Sequence, residues 1–194
     1  FTAVKMYSKV QQHWKDEIKR LRKLSSESNN DIEKARFKRM IDYMKSVEMA
    51  VVISDPKADA EKFQQAGLDI QTHIKRLNQL DAQGHDLEYN FKDPQHPLQL
   101  VFVCAMWLTG FDAPTVSTLY LDKPMKGHTL MQTIARANRV ASYQIKGLDG
   151  QLIEKKNGEI IDYYNVFRNM KQALKDYAQG EDGLDDAPVK EKSV

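Results

Sequence analysis

Apolar side chains recur through the first part of the chain at three- and four-residue intervals. Val4, Tyr7, Val10, Trp14, Ile18, Leu21 and Leu24, with Gln11 among them, share one face of a helix over residues 4–24. The serines and asparagines of residues 25–30 end it, because their side chains compete for the backbone's own hydrogen bonds. Asp31 is the expected cap of a second helix, striped by Ile32, Phe37, Met40, Ile41, Met44 and Val47. At residues 49–54 the pattern changes to a compact run containing Val51, Val52 and Ile53, closed by Asp55-Pro56, which predicts a buried strand. Residues 57–80 alternate helical stretches with a turn at Gly67, and a short helix over 86–91 stops at Asp93-Pro94.

Shorter elements follow. Residues 98–104 form an apolar strand, 109–114 a loop, and 116–121 a second strand ended by Asp122-Lys123-Pro124. Residues 129–138 read as a helix and 147–158 as a polar excursion, either a hairpin or a loose loop. A third strand spans 160–163, and a helix over 166–177 turns Val166, Met170, Ala173, Leu174 and Tyr177 inward. Strands separated by helices predict an α/β layer built on a parallel sheet. After Gly180 an acidic cluster, Pro188 and the lysines at 190 and 192 show no periodicity, so residues 179–194 read as a linker or frayed tail.

Composition narrows this picture only slightly. A chain of 194 residues, 41% apolar and 29% charged, is long enough for one domain with a real core. Its formal charge of +2 gives no general case for a nucleic-acid partner, so any such case rests on local placement. Cys104 has no second thiol to pair with, which suits a reducing, cytoplasmic compartment, and within its apolar run it reads as a small buried side chain. No apolar run is long enough to cross a bilayer, and no membrane partner is expected. The chain opens at Phe1 without a signal-peptide pattern and reads as a piece of something longer.

In an open parallel sheet, ligands bind beyond the carboxyl ends of the strands. One loop at such an end is Thr109-Gly110-Phe111-Asp112-Ala113-Pro114, where Gly110 permits close backbone approach and Asp112 supplies a carboxylate. A turn with Asp112 capping its own backbone is the plainer alternative. The helix over 129–138 carries the second candidate. Gln132, Arg136 and Arg139 share one face at spacings of four and three, while Met131, Ile134, Ala135 and Asn138 line another. Two arginines on one face commonly mark just a solvated surface, but neighbouring guanidinium groups repel each other, and a polyanion such as a triphosphate is their best partner. On residues 15–23, Lys15, Lys19, Arg22 and Lys23 form a basic helix face that could track phosphates, but Asp16 and Glu17 favour an ordinary solvated surface.

The stretch Gln132-Thr133-Ile134-Ala135-Arg136-Ala137-Asn138-Arg139 resembles the sixth motif of superfamily 2 helicases, and residues 109–114 are similar to the fifth. The wider wording is narrower. Residues 103–114, then Tyr120-Leu121-Asp122-Lys123-Pro124-Met125, residues 132–140 and Gly158-Glu159-Ile160-Ile161-Asp162-Tyr163 resemble the restriction (R) subunit of type I restriction-modification enzymes. This resemblance runs from about residue 91 to 163 and is faint before it. Thr109 and Thr133 stand where many superfamily 2 proteins have arginine, and Ala135 stands where many have glycine.

That resemblance implies a RecA-like three-layer lobe with a parallel sheet over residues 1–178. Residues 1–95 would be a variable, mostly helical half, and 96–178 the motif-bearing core. It implies the second lobe of an ATP-dependent DNA translocase. Arg136 and Arg139 would be arginine fingers, with Gln132, Asp112 and Gly110 contacting the nucleotide. Thr109, Lys123 and His128 would lie near DNA, although each also reads as a surface or capping residue. ATP and Mg2+ would be held mainly by a first lobe outside this chain, since no Gly-x-x-x-x-Gly-Lys-Ser/Thr loop occurs here. No metal ligand set is expected within the chain.

The implied partners are double-stranded DNA, the first RecA-like lobe, a nuclease domain, and methyltransferase and specificity subunits. The chain alone is expected to be inactive. A repair or remodelling translocase without a nuclease is the rival in the same class. A non-catalytic RecA-like interaction module is the rival from another class, and two facing arginines argue against it.

Overall fold

The computed structural model describes residues 1–54, 60–104, 106–107, 111–125, 130, 132–135, 144–147, 150–168 and 171. Helix α1 (Thr2–Glu27) and helix α2 (Asp31–Ser46) pack on each other. Leu21 and Ile41 are buried between them, and the Trp14 indole N–H donates to the Met44 carbonyl at 2.8 Å. The cap of α2 is Asn30 rather than Asp31: extended backbone at Asn30 lets its Oδ1 accept from the amides of Ile32 (2.9 Å) and Glu33 (3.4 Å). Asp31 falls in the first turn instead, where a carboxylate favours the positive end of the helix dipole. Ile32 is 80% exposed, because the helical repeat carries it to the side opposite buried Ile41.

Strand β1 (Glu48–Val52) pairs in parallel with β2 (Leu98–Val103). Between them run α3 (Ala60–Gln65), the turn at Gly67 with φ +63°, α4 (Gln71–Asn78) and α5 (Leu87–Lys92). Side-chain alternation sends Val51 toward Ala3 and Val4 of α1, with Ile53, Phe63 and Ile70 in the same cluster. It sends Ala50 and Val52 to the other face, against Leu87 and Leu98. A strand covered on both faces has no use for polar positions, which is why β1 after Glu48 reads as an unbroken apolar run. Arg76 of α4 fastens its start, donating to the Met49 carbonyl at 3.1 Å and to the Glu48 carboxylate at 2.5 Å.

A second parallel pair joins β3 (Thr118–Leu121) to β6 (Glu159–Asp162). The polar excursion is a hairpin of β4 (Gln144–Lys146) and β5 (Leu152–Glu154), beginning slightly earlier than its sequence suggests. Lys146 ties it to the loop before β2 by donating to the carbonyls of Gln95 and His96. Gly150 adopts φ +78° close beside the Tyr43 ring, where an added Cβ would stand 3.0 Å from the ring carbons.

The architecture is therefore mixed α/β, with helices first and small parallel sheets after them. Among the described residues the strands form two separate parallel pairs and one hairpin, not the single expected three-layer sheet. Cys104 is exposed, contrary to the expectation of burial, because β2 ends at Val103 and the chain leaves the core there. Val166 is buried as expected; Met170, Ala173, Leu174, Tyr177 and the tail over 179–194 lie outside the described residues. Among the described residues no helix is long and apolar enough to cross a membrane.

Candidate functional site

The helix after β3 is described at residues 130 and 132–135. Leu130 and Thr133 are each 2% exposed, and Ile134 packs against the cluster that Leu130 forms with Leu121 and Val166. The inward face thus runs through Leu130, Thr133 and Ile134. Ala135, expected on that face, is exposed, and Gln132 is half-buried. The helical repeat puts Gln132 roughly opposite Leu130 on the circumference. Sequence periodicity found the helix but placed its apolar stripe about one residue late, so that of the described positions only Ile134 lies on both the expected and the observed face. A threonine within a buried face gives no apolar signal.

Asp112 is exposed in the loop that follows β2, and Lys123 is exposed just past the end of β3. Thr109, Gly110, His128, Arg136 and Arg139 lie outside the described residues. Among the described residues no cluster of three His, Cys, Asp or Glu side chains could hold a metal ion.

What surrounds Asp112 is firmly built. Before it, Trp107 and Phe111 stack with ring centroids 4.4 Å apart and planes within 3°. Phe91 of α5 stacks on both, and the Lys92 ammonium lies 5.0 Å from the Phe111 ring centre. Trp107 holds φ +66°, sparsely populated for a bulky residue and sustained by this packing. After Asp112, Ala113 is buried and its carbonyl accepts from the Val116 amide at 3.1 Å, closing a turn. Lys155, in the connection from β5 to β6, donates to the Pro114 carbonyl at 2.8 Å. Lys155 is 2% exposed, and burial pushes its ammonium below the usual lysine range.

Sequence reading missed both supports. The rings of Trp107 and Phe111 were visible in the motif, but Phe91 joins them only in the fold. Lys155 is followed by Lys156 in a polar stretch, which reads as solvated surface, and its partner lies 41 residues away.

Parallel pairing brings the carboxyl ends of β3 and β6 to one edge, with Leu121 level with Asp162. The Asp162 carboxylate accepts there from the amides of Tyr164 and Phe167, each at 2.9 Å, turning the chain into the helix at 166–168. The basic stretch of α1 is partly compensated. Lys19 pairs with Asp16 at 3.0 Å, Arg20 with Glu17 at 2.6 Å and Lys23 with Glu27 at 3.8 Å, all exposed to solvent. Exposed pairs of this kind suit a solvated face.

Residues 2–165 match the family described as type I restriction enzyme subunit R domain 3. The chain is 48% identical over 109 residues to the type I restriction enzyme HindI endonuclease subunit of Haemophilus influenzae, covering 56% of this chain and 9% of that protein. It is 36% identical over 130 residues to the putative type I restriction enzyme MjaIXP endonuclease subunit of Methanocaldococcus jannaschii, covering 67% of this chain and 10% of that one. The alignments thus take in about a tenth of the length of these curated relatives. With a family match across most of its length, the chain belongs to the type I restriction enzyme subunit R domain 3 family.

Proposed function

We propose that this domain is the second, RecA-like motor lobe of a type I restriction endonuclease subunit, coupling ATP hydrolysis to movement along double-stranded DNA. The observation that carries this reading is the phase of the helix after β3. Leu130 and Thr133 are buried, so Gln132 falls on the side turned from the core, and the spacing in the sequence repeats that side at Arg136 and Arg139. On this reading the two guanidinium groups reach the γ-phosphate of ATP held by the first lobe and stabilise charge on the transferring phosphoryl group. Gln132 and Asp112 orient the nucleotide, and Gly110 lets the backbone approach it. Mg2+ and the phosphate cradle belong to the first lobe, in keeping with the missing phosphate-loop motif. Thr109, Lys123 and His128 face the DNA backbone, and Lys123 is exposed beside the β3 edge as that role requires. A nuclease domain and methyltransferase and specificity subunits complete the assembly.

The decisive experiment is Arg136→Ala in the complete endonuclease subunit, assembled with its partner subunits. DNA-dependent ATPase falls at least about a hundredfold, given the usual worth of an arginine finger, with the circular dichroism spectrum unchanged. Arg136→Lys recovers little, because an ammonium lacks the two-pronged geometry. Near wild-type turnover by Arg136→Ala removes the arginine from the mechanism. The 194-residue chain alone hydrolyses no ATP on this reading, and measurable turnover by it refutes the division of labour between lobes.

A further inference from the structure

A buried ammonium under a candidate ligand loop calls for a reason. Lys155 is 2% exposed, and its one hydrogen bond among the described residues is to the Pro114 carbonyl, two residues past Asp112. Methionine or leucine would fill the same space without removing a charge from water. The two segments also touch a little further along, where the Glu159 amide donates to the Ser117 carbonyl at 2.8 Å, just before Thr118 pairs with Glu159. The chain from Lys155 to Glu159 therefore runs beside the chain from Pro114 to Ser117 and is bonded to it at both ends. Upstream of Asp112, the Phe91–Trp107–Phe111 stack holds the loop. Downstream, the Ala113 turn and the Lys155 bond hold it. Asp112 itself is exposed between two fixed points.

We infer that Lys155 is a positioning residue for nucleotide contact, its buried ammonium holding the Pro114 carbonyl so that the loop presents Asp112 at a fixed place and angle. This rests on the motor reading above and deepens it. A carbonyl held from below by a long, desolvated side chain cannot drift toward solvent without stranding the charge. The hairpin β4–β5 and the connection after it thereby serve the loop that follows β2, although they lie far from it in sequence.

The test uses the complete subunit in the DNA-dependent ATPase assay, with Lys155→Met, Lys155→Arg, Asp112→Ala and Arg136→Ala side by side. Lys155→Met raises KM for ATP or lowers kcat by about tenfold to a hundredfold, the effect of a small misplacement near the chemistry, while its unfolding midpoint stays near wild type. Asp112→Ala shifts the same kinetic constant in the same direction, and Lys155→Arg, which keeps a cationic donor for Pro114, restores much of the loss. Wild-type kinetics for Lys155→Met beside an impaired Arg136→Ala overturn the inference and leave the motor reading standing. A silent Arg136→Ala beside an impaired Lys155→Met sinks the motor reading instead. Silence at Asp112→Ala overturns the inference as well, since Lys155 is argued to act through that loop. Should Lys155→Met fail to fold, Lys155→Arg carries the test with Lys155→Gln. An arginine variant no better than the glutamine variant in either kinetic constant refutes the role of the cationic donor.

Discussion

The two parallel strand pairs of this domain are built to different ends. Around β1 and β2 the described core is almost wholly apolar, and the one buried polar side chain among its described residues, Asn90, donates to Asp81 within its own neighbourhood. Around β3 and β6 the described core centres on Leu121, Leu130 and Val166, and of the three buried polar or charged residues among the described ones, Thr133 and Lys155 belong to this half. The first half therefore buries surface for stability. The second commits polar side chains to its interior, where Lys155 holds the loop that carries Asp112. Matching substitutions in the two halves are expected to separate these roles.

The largest effect on stability is expected at Leu21, sealed between α1 and α2. Leu21→Ala lowers the unfolding free energy by about 2–5 kcal/mol, read by urea unfolding with circular dichroism. ATPase per folded molecule of the complete subunit is unchanged. Leu130→Ala, in the cluster with Leu121 and Val166, costs about 2–5 kcal/mol by the same measurement and also lowers ATPase, because the helix bearing Gln132 loses its seat. If both variants spare activity equally, the contrast between the halves is wrong.

Caps give smaller effects. Asp162→Ala removes the acceptor of two backbone amides and lowers stability by about 1–2 kcal/mol. Asn30→Ala, on the helical side, lowers it by about 1 kcal/mol and leaves ATPase untouched. An Asp162 variant with full activity would mean that the β6 edge has no part in presenting the site.

The smallest effect is a pH dependence confined to the first half. Burial chiefly depresses the affinity of His73 for a proton; Asp69 opposes this and Arg76 adds to it, while the ring packs edge-on against Tyr7 at 4.8 Å. With the folded value below the unfolded one, the unfolded chain takes up the proton first. Stability is then unaffected above about pH 6.5 and declines as pH falls below it, until the folded form protonates as well. His73→Gln flattens this part of the profile. Asp69 and Asp81, whose carboxylates are held below their usual range mainly by hydrogen bonds from Thr72 and from the His85 amide, act only in a separate, more acid window. A decline that persists in His73→Gln places its origin elsewhere.

How much of this was legible in the sequence depended on the range of the interaction. The stripes of α1 and α2, the buried run of β1, the short helix α5 and the third strand, expected over 160–163 and found at 159–162, all follow from periodicity or from neighbours a few residues apart. Asp31 was a reasonable cap, but Asn30 reached the free amides first. Ile32 fits a loose apolar pattern, yet the phase of α2 turns it outward. The support beneath Asp112 was illegible, because Lys155 and Phe91 meet the loop through chain closure rather than local pattern. Placement of two separate strand pairs was illegible for the same reason.

Parallel pairing also dictates an order of events on the ribosome. The αα pair at the amino end can form as soon as it emerges, since its contacts lie close in sequence. Strand β1 follows immediately but must wait through α3, α4 and α5 for β2 to be synthesised. During that wait the face of β1 bearing Ala50 and Val52 lacks the cover of Leu87 and Leu98, and the strand lacks its pairing with β2, the condition under which aggregation begins. Any dissection of this protein that cuts between α5 and β2 would freeze the molecule at that exposed stage, so a useful truncation boundary lies before β1 or beyond β2.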